Sequence, residues 1–285
     1  MKYETMIWSG CSMTMGNGMI EDNPSKDFIK SDSVIWKHPK FYELFPDVKT
    51  YGEAMEAVKQ TTYPMLLGKK LGLKTYNLAV GGSGIEVQLK ALTSFLLNAK
   101  IDYSKTLFCY QIPELSRVEI LNNLDKPKAE MDKFTFHPFN YNIIEDNPNL
   151  QYFFRNHFDF DYYTAKHLMR LVEYKGFLKS KGIDSIFIGE INQFKYEEKT
   201  DEFMQNNMLN FNPWSHEDVK FPSWKSLIKE LDMKNPQRNT QIRTLKDDGY
   251  GDDMHYSPNG HKQLAKIYER FLRERNFLPT IHRFV

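Results

Sequence analysis

The chain has 285 residues, long enough to bury a full core in one large domain or two small ones. Its 38 lysines and arginines are balanced by 37 aspartates and glutamates, so no global field recruits nucleic acid or an anionic membrane surface. Two cysteines do not make a disulfide framework, and no stretch approaches the roughly 20 apolar residues of a membrane span. The opening residues, Glu4 among them, lack the apolar core of a signal peptide, so a soluble protein of a cytoplasm with buried thiols is expected.

The first expected element is an apolar strand that begins at Thr5, stops at Gly10 and delivers Ser12 to its C-terminal end. From Asn17 to Gly52 the chain is polar and irregular, with Asp22-Asn23-Pro24, His38-Pro39 and Phe45-Pro46-Asp47 as turn signals. Helical spacing starts near Glu53, and a second helix from Tyr63-Pro64 should end at Gly72. A short strand, Lys74 to Ala79, leads into a tight turn, Val80 to Gly84. The next helix has Ile85, Leu89, Leu92 and Leu96 on one face.

Thr106 to Gln111 and Asp184 to Gly189 read as buried strands. Between them come an insertion of roughly residues 120–160 and a helix from about Tyr162 to Lys181 with Leu168, Leu171 and Leu178 inward. Residues 192–240 read as irregular. The closing helix has Ser257 as N-cap, Pro258 at its first position, and an apolar face of Leu264, Ile267, Phe271 and Leu272. Strands alternating with helices predict an α/β fold with a parallel, doubly wound sheet. We expect a single domain over 1–285, with insertions at about 17–52, 120–160 and 192–240.

In open α/β sheets ligands sit beyond the carboxyl ends of the strands, where Gly10-Cys11-Ser12 places a hydroxyl. A serine becomes a nucleophile only with a base, a group that orients the base, and donors for the oxyanion. Asp252 and His255, three apart in the loop before the last helix, can supply the first two, the carboxylate accepting from Nδ1 and leaving Nε2 as base. Taken alone, the pair reads more readily as a polar loop before an N-cap, with both side chains facing solvent. Cys11 beside Ser12 is expected to be an inert buried thiol. His261 reads as a packing or surface residue. His137, His157, His167 and His216 are scattered without metal-ligand spacing, so no metal site is expected.

Gly10-Cys11-Ser12, the block from Asn77 to Ser83, and Asp252 with His255 stand in the order used by the SGNH (GDSL-like) hydrolases. The chain resembles that family over nearly its whole length. The Gly-Cys-Ser block, the Tyr63-Pro64 helix and the Ser116-Arg117 pair most resemble its phage-associated branch. The resemblance implies a flavodoxin-like three-layer fold and acyl-ester chemistry without a cofactor. It makes Ser12 the nucleophile, His255 the base, Asp252 its orienter, and the Ser12 and Gly82 N–H groups oxyanion donors. The Gly-x-Ser-x-Gly elbow of the larger α/β-hydrolases is absent.

One block departs from the family pattern. Where the family carries an asparagine amide after the third strand, this chain has Tyr110-Gln111, then Ile112 to Arg117. Gln111 can substitute as donor; Tyr110 or Ser116 can donate instead; or two backbone donors suffice. Losing one donor costs about 10²–10³ in rate. Arg117, with Tyr110, is a candidate for holding the substrate, though an ion pair of Arg117 with Glu114 or Glu119 fits equally.

The aromatic run Phe134 to Tyr141, with Tyr152, Phe153, Phe154, Phe158 and Phe160, is expected to form a mini-core or a platform for sugar rings. The expected substrate is a small-molecule or carbohydrate ester, with O-acetyl the acyl group in view. The competing readings are an acyltransferase using the same residues, and a non-catalytic glycan-binding or structural phage protein that keeps the fold.

Overall fold

The computed structural model describes residues 2–11, 14, 51–80, 83–113, 117–120, 135–137, 152, 155–156, 160–189, 224–237, 240–244, 246–248 and 255–278. In chain order the elements are β1 (Thr5–Ser9), α1 (Tyr51–Thr61), α2 (Tyr63–Leu71), β2 (Lys74–Asn77), α3 (Ile85–Asn98) and β3 (Thr106–Gln111). There follow β4 (Val118–Ile120), β5 (Thr135–His137), α4 (Phe160–Ser180), β6 (Asp184–Ile188), α5 (Trp224–Leu231) and α6 (Pro258–Glu274). They fall into two compact units: Met1–Gly81 with Asn98–Gln111 and Pro236–Val285, and Gly82–Leu97 with Ile112–Asn235.

The first unit is built on β1, whose five residues are all buried. It pairs in parallel with β2 on one side, Trp8 opposite Asn77, and with β3 on the other, Trp8 opposite Cys109. This order, β2-β1-β3, opens the 2-1-3-4-5 arrangement of flavodoxin-like sheets. The chain is thus α/β with a parallel sheet, as strand–helix alternation predicts. The ladder runs on past β2, with Leu78 N–H donating to Trp8 O (2.7 Å) and Val80 N–H to Gly10 O (3.1 Å). Cys11 and Cys109 are free, buried thiols, and burial holds the Cys109 thiol far above its usual range.

Helix α2 packs against β2 and α6. Its end follows the expected rule, for Gly72 is left-handed (φ 65°) and its N–H caps the last turn. Its start is less ordinary. The Thr62 hydroxyl donates to Lys59 O (2.6 Å), closing α1, and gives α2 no side-chain cap. The N–H of Tyr63 donates instead to Nδ1 of His261 on α6 (3.3 Å), so an imidazole receives one of the helix's orphan donors.

Helix α6 starts as its sequence predicts, with Ser257 Oγ accepting from Gly260 N–H (3.1 Å) and Pro258 following. Its buried stripe differs from the predicted one. His261, Leu264, Ala265, Tyr268 and Leu272 are buried, whereas Ile267 and Phe271 are only half-buried. Spacings of three and four hold, but the stripe is centred on Tyr268 because the facing surface is aromatic. Tyr268 stacks on Tyr63 (5.0 Å, 22°) and meets Trp8 edge-on (5.1 Å, 71°). Such pairs contribute about 0.5–1.5 kcal/mol each beyond area burial.

In the second unit, α3 buries Ile85, Leu89, Leu92 and Leu96, and α4 buries Leu168, Leu171 and Leu178, as their spacing predicts. Thr93 and Tyr174 join these helices by a hydroxyl–hydroxyl bond (2.8 Å). β6 is bordered by Lys234, whose N–H donates to Phe187 O (2.9 Å). The stretch expected to be irregular from 192 to 240 contains α5, which buries Leu227 and Leu231 and packs on α4. At eight residues its periodicity is too short to stand out from aromatic, asparagine-rich neighbours. Within the insertion expected from 120 to 160, β4 and β5 pair antiparallel at its border. No helix among the described residues is long and apolar enough to cross a membrane.

The buried His261 sets an acid limit on stability. Burial first, and the neighbouring His255 second, push its imidazole from 6.5 down to about 3. The unfolded chain therefore binds a proton that the folded chain refuses between those values. Stability should fall as pH drops below 6.5, by up to about 1.4 kcal/mol per unit from this group, and level off near pH 3. Urea unfolding from pH 7 to 5 should show this slope reduced by about one proton in His261→Gln, which accepts from Tyr63 N–H but does not titrate. Equal slopes would remove His261 as the source.

Candidate functional site

The C-terminal end of β1 is shaped by close approach. A Cβ on Gly10 would lie 2.3 Å from Thr14 Oγ1 and 3.2 Å from Gln111 Cβ, so a residue without a side chain is required there. Thr14 N–H donates to Cys11 O (3.1 Å), and Thr14 is fully buried. Its carbonyl accepts from Asn77 Nδ2 (2.9 Å), which also donates to Thr62 Oγ1 (3.2 Å), while Asn77 Oδ1 accepts from Ala79 N–H (3.1 Å). Asn77 therefore ties the end of β2 to the chain that follows β1.

The same spot is closed from α2 and β3. Gln111 Oε1 accepts from Thr14 Oγ1 (2.5 Å) and from Tyr63 OH (2.6 Å), and the two hydroxyl oxygens are 3.0 Å apart. Tyr63 is fully buried, packed edge-on against Trp8 (5.2 Å, 88°) and stacked on His261 (5.9 Å, 22°). Burial first, then the neighbouring Tyr268, hold its phenol well above its usual range, so it stays a protonated donor.

His255 stands at the other arm. Tyr256 bridges antiparallel to Thr244, Ser257 N–H donates to Arg243 O (3.1 Å), and the Ser257 cap follows, so the backbone just after His255 is held on both sides. Tyr256 meets His261 edge-on (5.8 Å, 87°), and its hydroxyl donates to Gln237 Oε1 (3.2 Å). His255 itself is half-buried and near enough to His261 to depress it.

Of the site residues singled out in the sequence, Tyr110, Gln111 and His255 lie in this unit with their surroundings described. Ser12, Asp252, Asp253, Gly82 and Ser116 lie outside the described residues, and so do the side chains of the aromatic run 134–141. Tyr110 is fully buried and its ring stacks on Phe108 (5.8 Å, 20°). Arg117 belongs to the second unit, half-buried, its carbonyl so close to Gly84 that a Cβ there would stand 2.9 Å away.

Thr14, Tyr63, Asn77 and His261 were not expected at the site. Asn77 and Tyr63 belong to sequence motifs, but their contacts lie far along the chain. The available hint was polar residues interrupting otherwise apolar patterns.

No protein-family model matches the chain, and no curated protein does. Among solved structures it is similar to an esterase, EstA, from Pseudoalteromonas sp. (8% identity, 96% of this chain and 100% of that one, TM-score 0.45). It is also similar to a protein assigned to the lipolytic G-D-S-L family from Desulfitobacterium hafniense DCB-2 (10% identity, 94% and 98%, TM-score 0.41). A third is an acetyl xylan esterase from the rumen bacterium Butyrivibrio proteoclasticus (14% identity, 96% of this chain and 65% of that one, TM-score 0.42). Likenesses this faint say nothing about which side chains act.

The packing at Gly10 makes a direct prediction. Gly10→Ala should destabilise the chain by about 1–3 kcal/mol, the usual cost of overpacking a filled site. Urea denaturation measures it, and an unchanged midpoint would show that Thr14 and Gln111 do not hold their positions against β1.

Proposed function

We propose that the chain is a serine esterase of the SGNH type, resembling the phage-associated branch, which cleaves an acyl ester, O-acetyl carbohydrate being the substrate class in view. The observation that supports this most is the convergence on Tyr63. Thr14, two residues after Ser12, meets its hydroxyl; Gln111, at the end of β3, meets it too; and His261, six residues after His255, receives its N–H. The chain after β1, the end of β3 and the first turns of α6 are thereby linked through one residue, which supports a site beyond the carboxyl ends of the strands.

In this reading Ser12 Oγ attacks the acyl carbon while His255 Nε2 takes its proton. Asp252 keeps the imidazole in the required tautomer and balances its positive charge. The oxyanion is met by the Ser12 N–H and the Gln111 amide, with Gly82 N–H the further donor that the family resemblance implies. The tetrahedral intermediate collapses when His255 returns the proton to the leaving alkoxide. Water, activated by the same imidazole, then releases the acyl group from Ser12. Arg117, with Tyr110, is the candidate for holding the sugar or an anionic part of the substrate.

A fluorophosphonate probe should label wild type and not Ser12→Ala, and Ser12→Ala should lose turnover of a short p-nitrophenyl ester at unchanged thermal stability. Retained labelling or turnover removes Ser12 from the mechanism. Asp252→Asn should cost most of the activity, because an amide favours the wrong imidazole tautomer, whereas Asp253→Asn should cost little. The reverse order of kcat/KM in the two variants would reassign the acid.

A further inference from the structure

From the hydroxyl pair behind Gln111 we infer that Tyr63 and Thr14 are positioning residues, which orient the Gln111 amide with Oε1 inward and Nε2 turned out as an oxyanion donor. The inference rests on the esterase reading above and adds the device that fixes the donor in the block that departs from the family pattern.

The argument is one of distances and protons. A side-chain amide can face two hydroxyls with either its oxygen or its nitrogen, and only the oxygen-inward choice leaves N–H groups for a ligand. Bonds of the O–H···O kind fall at about 2.5–3.0 Å, those of the N–H···O kind at about 2.7–3.2 Å. The two contacts to Gln111, 2.5 Å from Thr14 and 2.6 Å from Tyr63, lie in the first range and short of the second. Both hydroxyls are thus within donating distance of Oε1, and at 3.0 Å from each other they form a closed triangle with it.

The opposite orientation would place an acceptor where negative charge develops, a change of sign and not a mere loss of a donor. One hydroxyl would leave the choice weakly biased. Two donors converging on one oxygen, both buried, make the flipped amide cost two hydrogen bonds at once. The phenol keeps its proton, since burial holds it well above its usual range. Tyr63 serves separately in packing through its backbone N–H and its ring, so Tyr63→Phe removes the orienting proton and leaves both of those in place.

The test is a double-mutant cycle with a short p-nitrophenyl ester: wild type, Tyr63→Phe, Gln111→Ala and the two combined. Tyr63→Phe should lower kcat by about tenfold and Gln111→Ala by about 10²-fold, with KM within about twofold in both, and the combination should be no worse than Gln111→Ala alone. Thr14→Val, which removes the other proton, should follow Tyr63→Phe and be silent in the Gln111→Ala background. It keeps the proposal testable if the tyrosine variant folds poorly by circular dichroism. Multiplying losses, or losses confined to KM, overturn the proposal. Fluorophosphonate labelling of the same proteins separates the two readings. Labelling retained throughout, with multiplying losses, sinks only the positioning role, and a wild type that is never labelled sinks the esterase reading and this role with it.

Discussion

Tyr63 is held at both ends, and much of the first unit hangs on that. Its backbone N–H is received by His261 on α6, its ring lies among Trp8, Tyr268 and His261, and its hydroxyl reaches Gln111 on β3 and Thr14 after β1. The partners stand 48, 49 and 198 residues away in sequence. Closing such long loops costs chain entropy that grows only slowly with length. A cluster of buried aromatic rings and paired polar groups can offset that cost.

Neutrality is what lets so many polar groups share this interior. A charged imidazole or phenolate here would carry a desolvation penalty well beyond any single hydrogen bond. Burial moves each titration away from neutrality, His261 downward and Tyr63 upward. Both residues then offer only what the network needs, an acceptor at Nδ1 and a donor at the phenol. Hydrogen bonds in a low-dielectric interior are strong when every partner is present and costly when one is lost. The same feature that orders this network makes it sensitive to acid.

What was legible in the sequence divides along the range of the interaction that decides it. β1, β3, α3 and α4 follow from apolar runs and spacings of three and four, and the ends of α2 and α6 from Gly72 and from Ser257-Pro258, because each of these signals acts within a turn or two of chain. Helix α5 escaped because it is short, and the true stripe of α6 because its amphipathic members, His261 and Tyr268, read as polar until an aromatic surface faces them. At the site, Gln111 could be singled out as the one amide at the end of its strand. That its oxygen would be taken by Thr14 and Tyr63 could not, for no local pattern announces a contact spanning 97 residues.

Gly10 shows how one residue can carry two meanings of different range. In the sequence it marks where the first strand stops. In the fold it is the space into which Thr14 folds back, and the register that sets Ser9 against Tyr110 brings Gln111 to the same gap. Any Cβ at position 10 would push on the threonine that holds the amide and crowd the Cβ from which the amide hangs. The stop of the strand and the orientation of the amide are therefore one constraint, the absence of a side chain where three segments of chain meet. A shorter amide at position 111 would have to span the same distance to two hydroxyls with one methylene fewer, which gives a physical reason for glutamine there.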